Sequence, residues 1–85
     1  MKKINVNYSK QARKFLKKQA IDTQERILTS IRKIPTGEIK ITTVVGYPHL
    51  LKIRIGAFRV IFDKDFTQII EVREIGNRGD IYKGY

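Results

Sequence analysis

The chain has 85 residues, no cysteine, a single histidine and a formal net charge of +10. Its length fits one domain over residues 1–85 with a thin core, since a chain this short buries only about 60% of its unfolded surface. Disulfides and thiolate metal sites are excluded, a histidine metal site built on His49 alone is not expected, and no cofactor is anticipated.

The charge favours polyanionic partners: nucleic acid, an acidic protein or an anionic membrane surface. It is unevenly spread. Residues 1–34 hold ten Lys and Arg against two acids, a net of +8, and residues 35–85 hold eight against six, a net of +2. Cationic helix faces are also often simply solvated. No apolar run approaches the roughly 20 residues needed to span a bilayer. Met1 to Asn7 starts basic but lacks the apolar stretch of a signal peptide. A soluble, cytoplasmic protein without a membrane partner is the expectation, and the lack of cysteine fits a reducing compartment.

In chain order, Ile4, Val6 and Tyr8 alternate with Asn5 and Asn7, which predicts a strand with one buried face. Ser9 reads as a helix N-cap. Ala12, Phe15, Leu16 and Ala20 follow at helical spacing, with Arg13, Lys14, Lys17 and Lys18 largely on the other side. Asp22 and Glu25 resemble a capping box for a second helix carrying Ile27, Leu28, Ile31 and Ile34, which Pro35 and Gly37 should stop. The short link predicts an antiparallel helical hairpin.

Beyond Gly37 the period changes from 3.6 to 2. Glu38 to Val45 is β-branched and reads as an irregular or edge strand, with Gly46-Tyr47-Pro48-His49 as a turn or loop. Leu51, Ile53 and Ile55 alternate with Lys52 and Arg54. Gly56-Ala57 suits a tight type II′ hairpin into a strand through Phe58, Val60 and Phe62. Asp63-Lys64-Asp65 reads as a turn, Ile69 to Ile75 as a strand, Gly76 to Asp80 as a loop and Ile81 to Tyr85 as a tail. The order is β-α-α-β-β-β, an α+β fold with two helices packed on one face of a mostly antiparallel four-stranded sheet.

Alternation puts Lys52 and Arg54 on one face, roughly 7 Å apart along the strand. Pairing Ile55 with Phe58 across the turn sets Arg54 opposite Arg59. Like charges facing each other across a ladder are destabilising, so three gathered cations make sense around an anion such as a phosphodiester. The bland alternative is solvated side chains splayed on an open sheet face.

The stretch Leu51 to Phe62 resembles the central motif of RelE/ParE toxins, an R-x-x-x-G-x-[YF]-R-[VL] pattern, here shifted so that Arg54 lies two residues and Lys52 four residues before the glycine. The stretch Val72 to Tyr82 resembles that family's closing G-[HKN]-R-x-x-x-Y signature, as Gly76-Asn77-Arg78 and Tyr82. The resemblance covers nearly the whole chain. It implies a RelE-like, microbial RNase-like fold and the toxin of a toxin–antitoxin pair, entering the ribosomal A site and cutting mRNA through the RNA's own 2′-hydroxyl.

By resemblance, the catalytic set is Lys52, Arg54, Arg59, Arg78 and Tyr82. Arg59 would hold the scissile phosphate. Arg78 would stabilise charge or assist the leaving group, and Tyr82 would stack on or orient a nucleotide, where aromatic stacking is worth about 1–3 kcal/mol per base. The reference RelE toxin carries a lysine where Arg54 stands, and that lysine is implicated as general base. Arginine, with a pKa above about 12, cannot replace it in that role. Either Lys52 is the base, or the base is not a side chain. His49 is a further candidate for base or stacking work, although a histidine beside a proline in a loop is more often a surface residue. Tyr47 reads equally as an RNA-stacking residue or as core cover. Lys10, Arg13, Lys14, Lys17 and Lys18 would grip ribosomal RNA or meet an acidic antitoxin segment.

The partners implied are a cognate antitoxin, the ribosome with its mRNA, and operator DNA only through the antitoxin. Two other readings of the same resemblance stay open: a ParE-like, non-enzymatic inhibitor of DNA gyrase, and a non-toxic relative acting in an operator-binding complex.

Overall fold

Strict alternation of apolar residues in the second half of the chain becomes three long antiparallel strands, and everything else is arranged around them. The structure, a computed structural model, describes residues 5–77. Its elements are β1 (Asn5–Tyr8), α1 (Lys10–Lys17), α2 (Ile21–Arg32), a 3₁₀ turn (Ile34–Thr36), β2 (Thr42–Val44), β3 (Tyr47–Ile55), β4 (Phe58–Asp63) and β5 (Ile69–Asn77). The sheet order is β1-β5-β4-β3-β2, with β1 parallel to β5 and the other pairs antiparallel.

The core lies between the helices and one sheet face. Ala12, Ile27 and Ile31 from the helices meet Ile53, Ile55, Val60, Phe62, Ile70, Val72 and Ile75 from β3, β4 and β5. Each isoleucine taken from water in this way contributes roughly 1.5–3 kcal/mol. Alternation therefore turns Lys52 and Arg54, and Arg59 on β4, to the face away from the helices. A smaller apolar cluster of Val44, Leu50 and Ile61, with Tyr47 against it, occupies the other end of that face.

Ser9 caps α1 as the sequence suggests, accepting a hydrogen bond from the Ala12 amide at 3.1 Å while its hydroxyl donates to the Arg73 carbonyl at 2.7 Å. Gln11 adds a device the spacing did not suggest. Its side-chain amide donates to the Ile75 carbonyl at 2.7 Å and its oxygen accepts from the Ile75 amide at 3.0 Å. One side chain thereby carries on, past the end of β1, the pairing that β1 makes with β5.

Four expectations need correction. The sheet has five strands rather than four, because Thr42-Thr43-Val44 pairs back on β3 through Thr42–Lys52 and Thr43–Leu51. The turn before β3 is Val45-Gly46, with Gly46 at φ 83°, so Tyr47, Pro48 and His49 belong to β3 and not to a loop. The Pro48 end is tolerated where the β2–β3 register shifts beside Val44. At the other end, Gly76 and Asn77 extend β5 instead of opening a loop, held by pairing with Arg59 and Phe58. Finally, the capping box is absent. Ala20 occupies the N-cap of α2 without a side-chain hydrogen bond, and Asp22 sits inside the first turn, where its carboxylate accepts from the Thr23 amide at 2.9 Å. There it still complements the helix dipole.

The type II′ reading of Gly56-Ala57 holds. Gly56 has φ 57°, no non-glycine residue among those described has positive φ, and Ile55 pairs with Phe58. The Arg26 guanidinium of α2 lies over this turn, 2.8 Å from where a Gly56 side chain would begin. Replacing Gly56 by alanine is expected to lower stability by about 1–2 kcal/mol, the cost of a left-handed backbone with a side chain. Chemical denaturation measures this, and an unchanged midpoint would contradict the assigned turn.

Candidate nucleic-acid interface

The β3–β4 register sets the geometry of the basic face. Arg54 stands directly opposite Arg59, and Lys52 stands opposite Ile61. Lys52, Arg54 and Arg59 line one hollow of ≈ 340 Å³ on the helix-free side of the sheet. Arg54 is exposed, while Lys52 and Arg59 are half-buried, and the Arg59 Nε is withdrawn from solvent. Among the described residues, none that lines the hollow is acidic. On the same face, the register places Glu74 one column away, opposite Ile61.

Two unit positive charges about 7 Å apart repel by roughly 2 kcal/mol at an effective dielectric near 20. Gathering three in one concavity is costly for folding alone, and a bound anion turns that cost into attraction. Arginine suits this task because its planar fork bonds phosphate oxygens bidentately.

The rest of the lining comes from the segment leading into the edge strand: Ile39, Lys40, Thr42 and Thr43. None of these was singled out from the sequence. Thr42 pairs with Lys52, and Lys40 precedes β2 by two residues, where it lines the same hollow as Arg54 and Arg59. Alternation of Ile39 and Ile41, which pack against the core, with Lys40 and Thr42 was a usable signal. Without the pairing to β3 it had no address.

Solved structures with a similar fold include a RelB-RelE antitoxin-toxin complex from Methanococcus jannaschii, at 21% identity and TM-score 0.66 over 84% of this chain and 88% of that one. The toxin-antitoxin complex RelBE2 from Mycobacterium tuberculosis matches at 15% identity and TM-score 0.66, covering 88% and 98% of the two chains. A RelE-RelB complex from Pyrococcus horikoshii OT3 matches at 21% identity and TM-score 0.67, covering 92% and 98%. The chain has the RelE fold. No protein-family model and no curated protein matches its sequence.

On this RelE scaffold the candidate residues fall into three groups. Lys52, Arg54 and Arg59 come together in the hollow. Lys10, Arg13, Lys14, Lys17 and Lys18 are all exposed on or at the end of α1, on the helix side of the sheet, so they form a second basic surface and do not join the hollow. Arg78 and Tyr82 lie outside the described residues.

His49 is set apart from the hollow. It lies three residues before Lys52 on β3, its ring 6.4 Å from that of Tyr47 in an edge arrangement. Its charge acts on Asp63, at the opposite end of β4 from the turn. Asp63 itself is held by Arg73, which donates from Nε at 2.8 Å and from Nη2 at 2.7 Å. This bidentate bond keeps the Asp63 carboxyl below its ordinary 3.8, against the opposing effect of burial. Among the described residues there is no cluster of His, Cys, Asp and Glu able to hold a metal ion, and no helix long and apolar enough to cross a membrane.

A carboxyl with a depressed folded-state pKa stabilises the protein fully above its unfolded value and loses that contribution as pH falls through the folded value. The wild type is therefore expected to exceed Asp63→Asn in stability by about 1 kcal/mol or less near neutrality. The margin should stay constant above about pH 5 and shrink in acid below the unfolded carboxylate value, near pH 4. Urea titrations of both proteins across pH 2–7 test this. A margin that grows in acid would contradict the assignment.

Proposed function

We propose that this protein is the toxin of a toxin–antitoxin pair and a ribosome-dependent endoribonuclease that cleaves mRNA in the ribosomal A site. The observation that carries the reading is the convergence of Lys52, Arg54 and Arg59 on one hollow. The RelE fold, seen in neighbours that are complexes of RelE with RelB, supports the toxin role and an antitoxin as partner. An acidic antitoxin segment that folds on binding suits the charge of +10.

In the proposed reaction the 2′-oxygen attacks the adjacent phosphorus. The bond from phosphorus to the 5′-oxygen breaks, leaving a 2′,3′-cyclic phosphate and a 5′-hydroxyl. Arg59 and Arg54 hold the non-bridging oxygens as charge builds on them, an electrostatic contribution that grows from ground state to transition state. Of the four cations lining the hollow, only Lys40 and Lys52 belong to a residue type that can act as base, because a guanidinium stays protonated, and Lys52 is the one that stands on β3 with Arg54. Lys52 thus takes the 2′-hydroxyl proton. Arg78 stabilises the departing 5′-oxygen, which gains its proton from water, and Tyr82 stacks on a flanking base. The exposed cations of α1 face away from this chemistry and serve as a docking surface for ribosomal RNA or for the antitoxin.

A translation reaction with purified ribosomes and a primer-extension readout of cut sites tests the proposal. Wild-type protein is expected to cut mRNA at A-site codons. Arg59→Ala should reduce the cleavage rate by about 100-fold or more, while antitoxin binding persists. Intact mRNA together with stalled gyrase–DNA complexes would overturn the ribonuclease reading in favour of a gyrase inhibitor.

A further inference from the structure

Four cations stand in the hollow, yet a single phosphodiester brings one negative charge. Lys52, Arg54 and Arg59 are the cations assigned above to the scissile linkage. Lys40 remains over, at the outer margin of the same hollow, with Thr42 on the edge strand beside Lys52. The sheet order places β2 at the edge, so among the described residues no strand lies beyond Thr42. Ile39 and Ile41 pack against the core on either side of Lys40 and fix the backbone that carries it. Ile39 also gives the hollow an apolar wall at this end.

We infer that Lys40 and Thr42 form a second phosphate subsite, which takes the linkage next to the scissile one as a single RNA strand crosses β4 and β3 and leaves over β2. The inference rests on the reading of the hollow as an RNA site. Lys40 supplies the charge and the Thr42 hydroxyl a neutral donor, the combination of contacts that positions a backbone without reading bases. From β2, which carries Thr42, across Lys52 of β3 to β4, which carries Arg59, the sheet spans two strand spacings, about 9–10 Å, room for more than one linkage. A ligand with two consecutive charged linkages is therefore bound better than one with a single charge. Lys40 and Thr42 touch no reacting atom, so their role is to position the strand.

Binding of 2′-O-methyl trinucleotides, which lack the nucleophile, tests this. One ligand has two charged linkages, and in two others one linkage is a neutral methylphosphonate. The wild type is expected to prefer the doubly charged ligand, with a salt dependence steeper by about 0.7 in log Kd against log salt, the value for one added contact to a single strand. Lys40→Gln should bind all three ligands alike, and Thr42→Val should weaken the preference. Arg59→Ala should bind every ligand more weakly yet keep the preference. A preference that survives Lys40→Gln overturns the subsite. Equal binding of the three ligands by the wild type also removes the subsite while leaving the RNA site intact. No binding of any of them by the wild type would sink the RNA reading itself.

Discussion

The register of one hairpin governs this molecule. A two-residue turn at Gly56-Ala57 pairs Ile55 with Phe58, and the next pair along is then Arg54 with Arg59. No side-chain preference would choose that pair, because like charges facing each other across a ladder weaken it. The apolar residues on the other face impose it. Ile53, Ile55, Val60 and Phe62 must all enter the core, and a slip of one residue would turn them to solvent. Core packing thus sets two like charges side by side, an arrangement that suits an anion between them.

The helices determine which face is available. Both pack against the same side of the sheet, α1 on β5 and β1 and α2 on β3, so the site residues of β3 and β4 stand on the face opposite the helices. Gln11 completes the arrangement by bonding both backbone groups of Ile75, which ties the start of α1 to the strand beside β4. The positive charge then divides between two surfaces, the outer side of α1 and the hollow. One protein can on this plan hold a large polyanion with one surface and work on a single linkage with the other.

Much of this was legible in the sequence, for local reasons. Alternation and the Gly56-Ala57 dipeptide were enough to place Arg54 against Arg59 and both beside Lys52. Ser9 was readable as a cap because its hydroxyl acts three residues away. What escaped depended on partners far along the chain. Glu38 to Val45 read as an irregular or edge strand, but only pairing with β3 limits the strand to Thr42-Thr43-Val44 and adds it to the sheet. Lys40, two residues before that strand, shares the hollow with residues of β3 and β4 that lie far along the chain. Pro48 read as a loop marker, whereas a register shift at the strand end accommodates it. The Asp22–Glu25 spacing imitated a capping box, but the N-cap lies two residues earlier, at Ala20, and Asp22 falls inside the first turn.

The central claim is that the cations of β3 and β4 act together on one phosphate, apart from those of α1. The most direct measurement is an NMR titration that follows arginine Nε–H and lysine side-chain signals while an uncleavable RNA oligonucleotide is added. Arg54, Arg59 and Lys52 are expected to shift together and saturate at one ligand concentration, ahead of Lys10, Arg13, Lys14, Lys17 and Lys18. Shifts confined to the α1 residues, with the hairpin cations unmoved at saturation, would contradict the account.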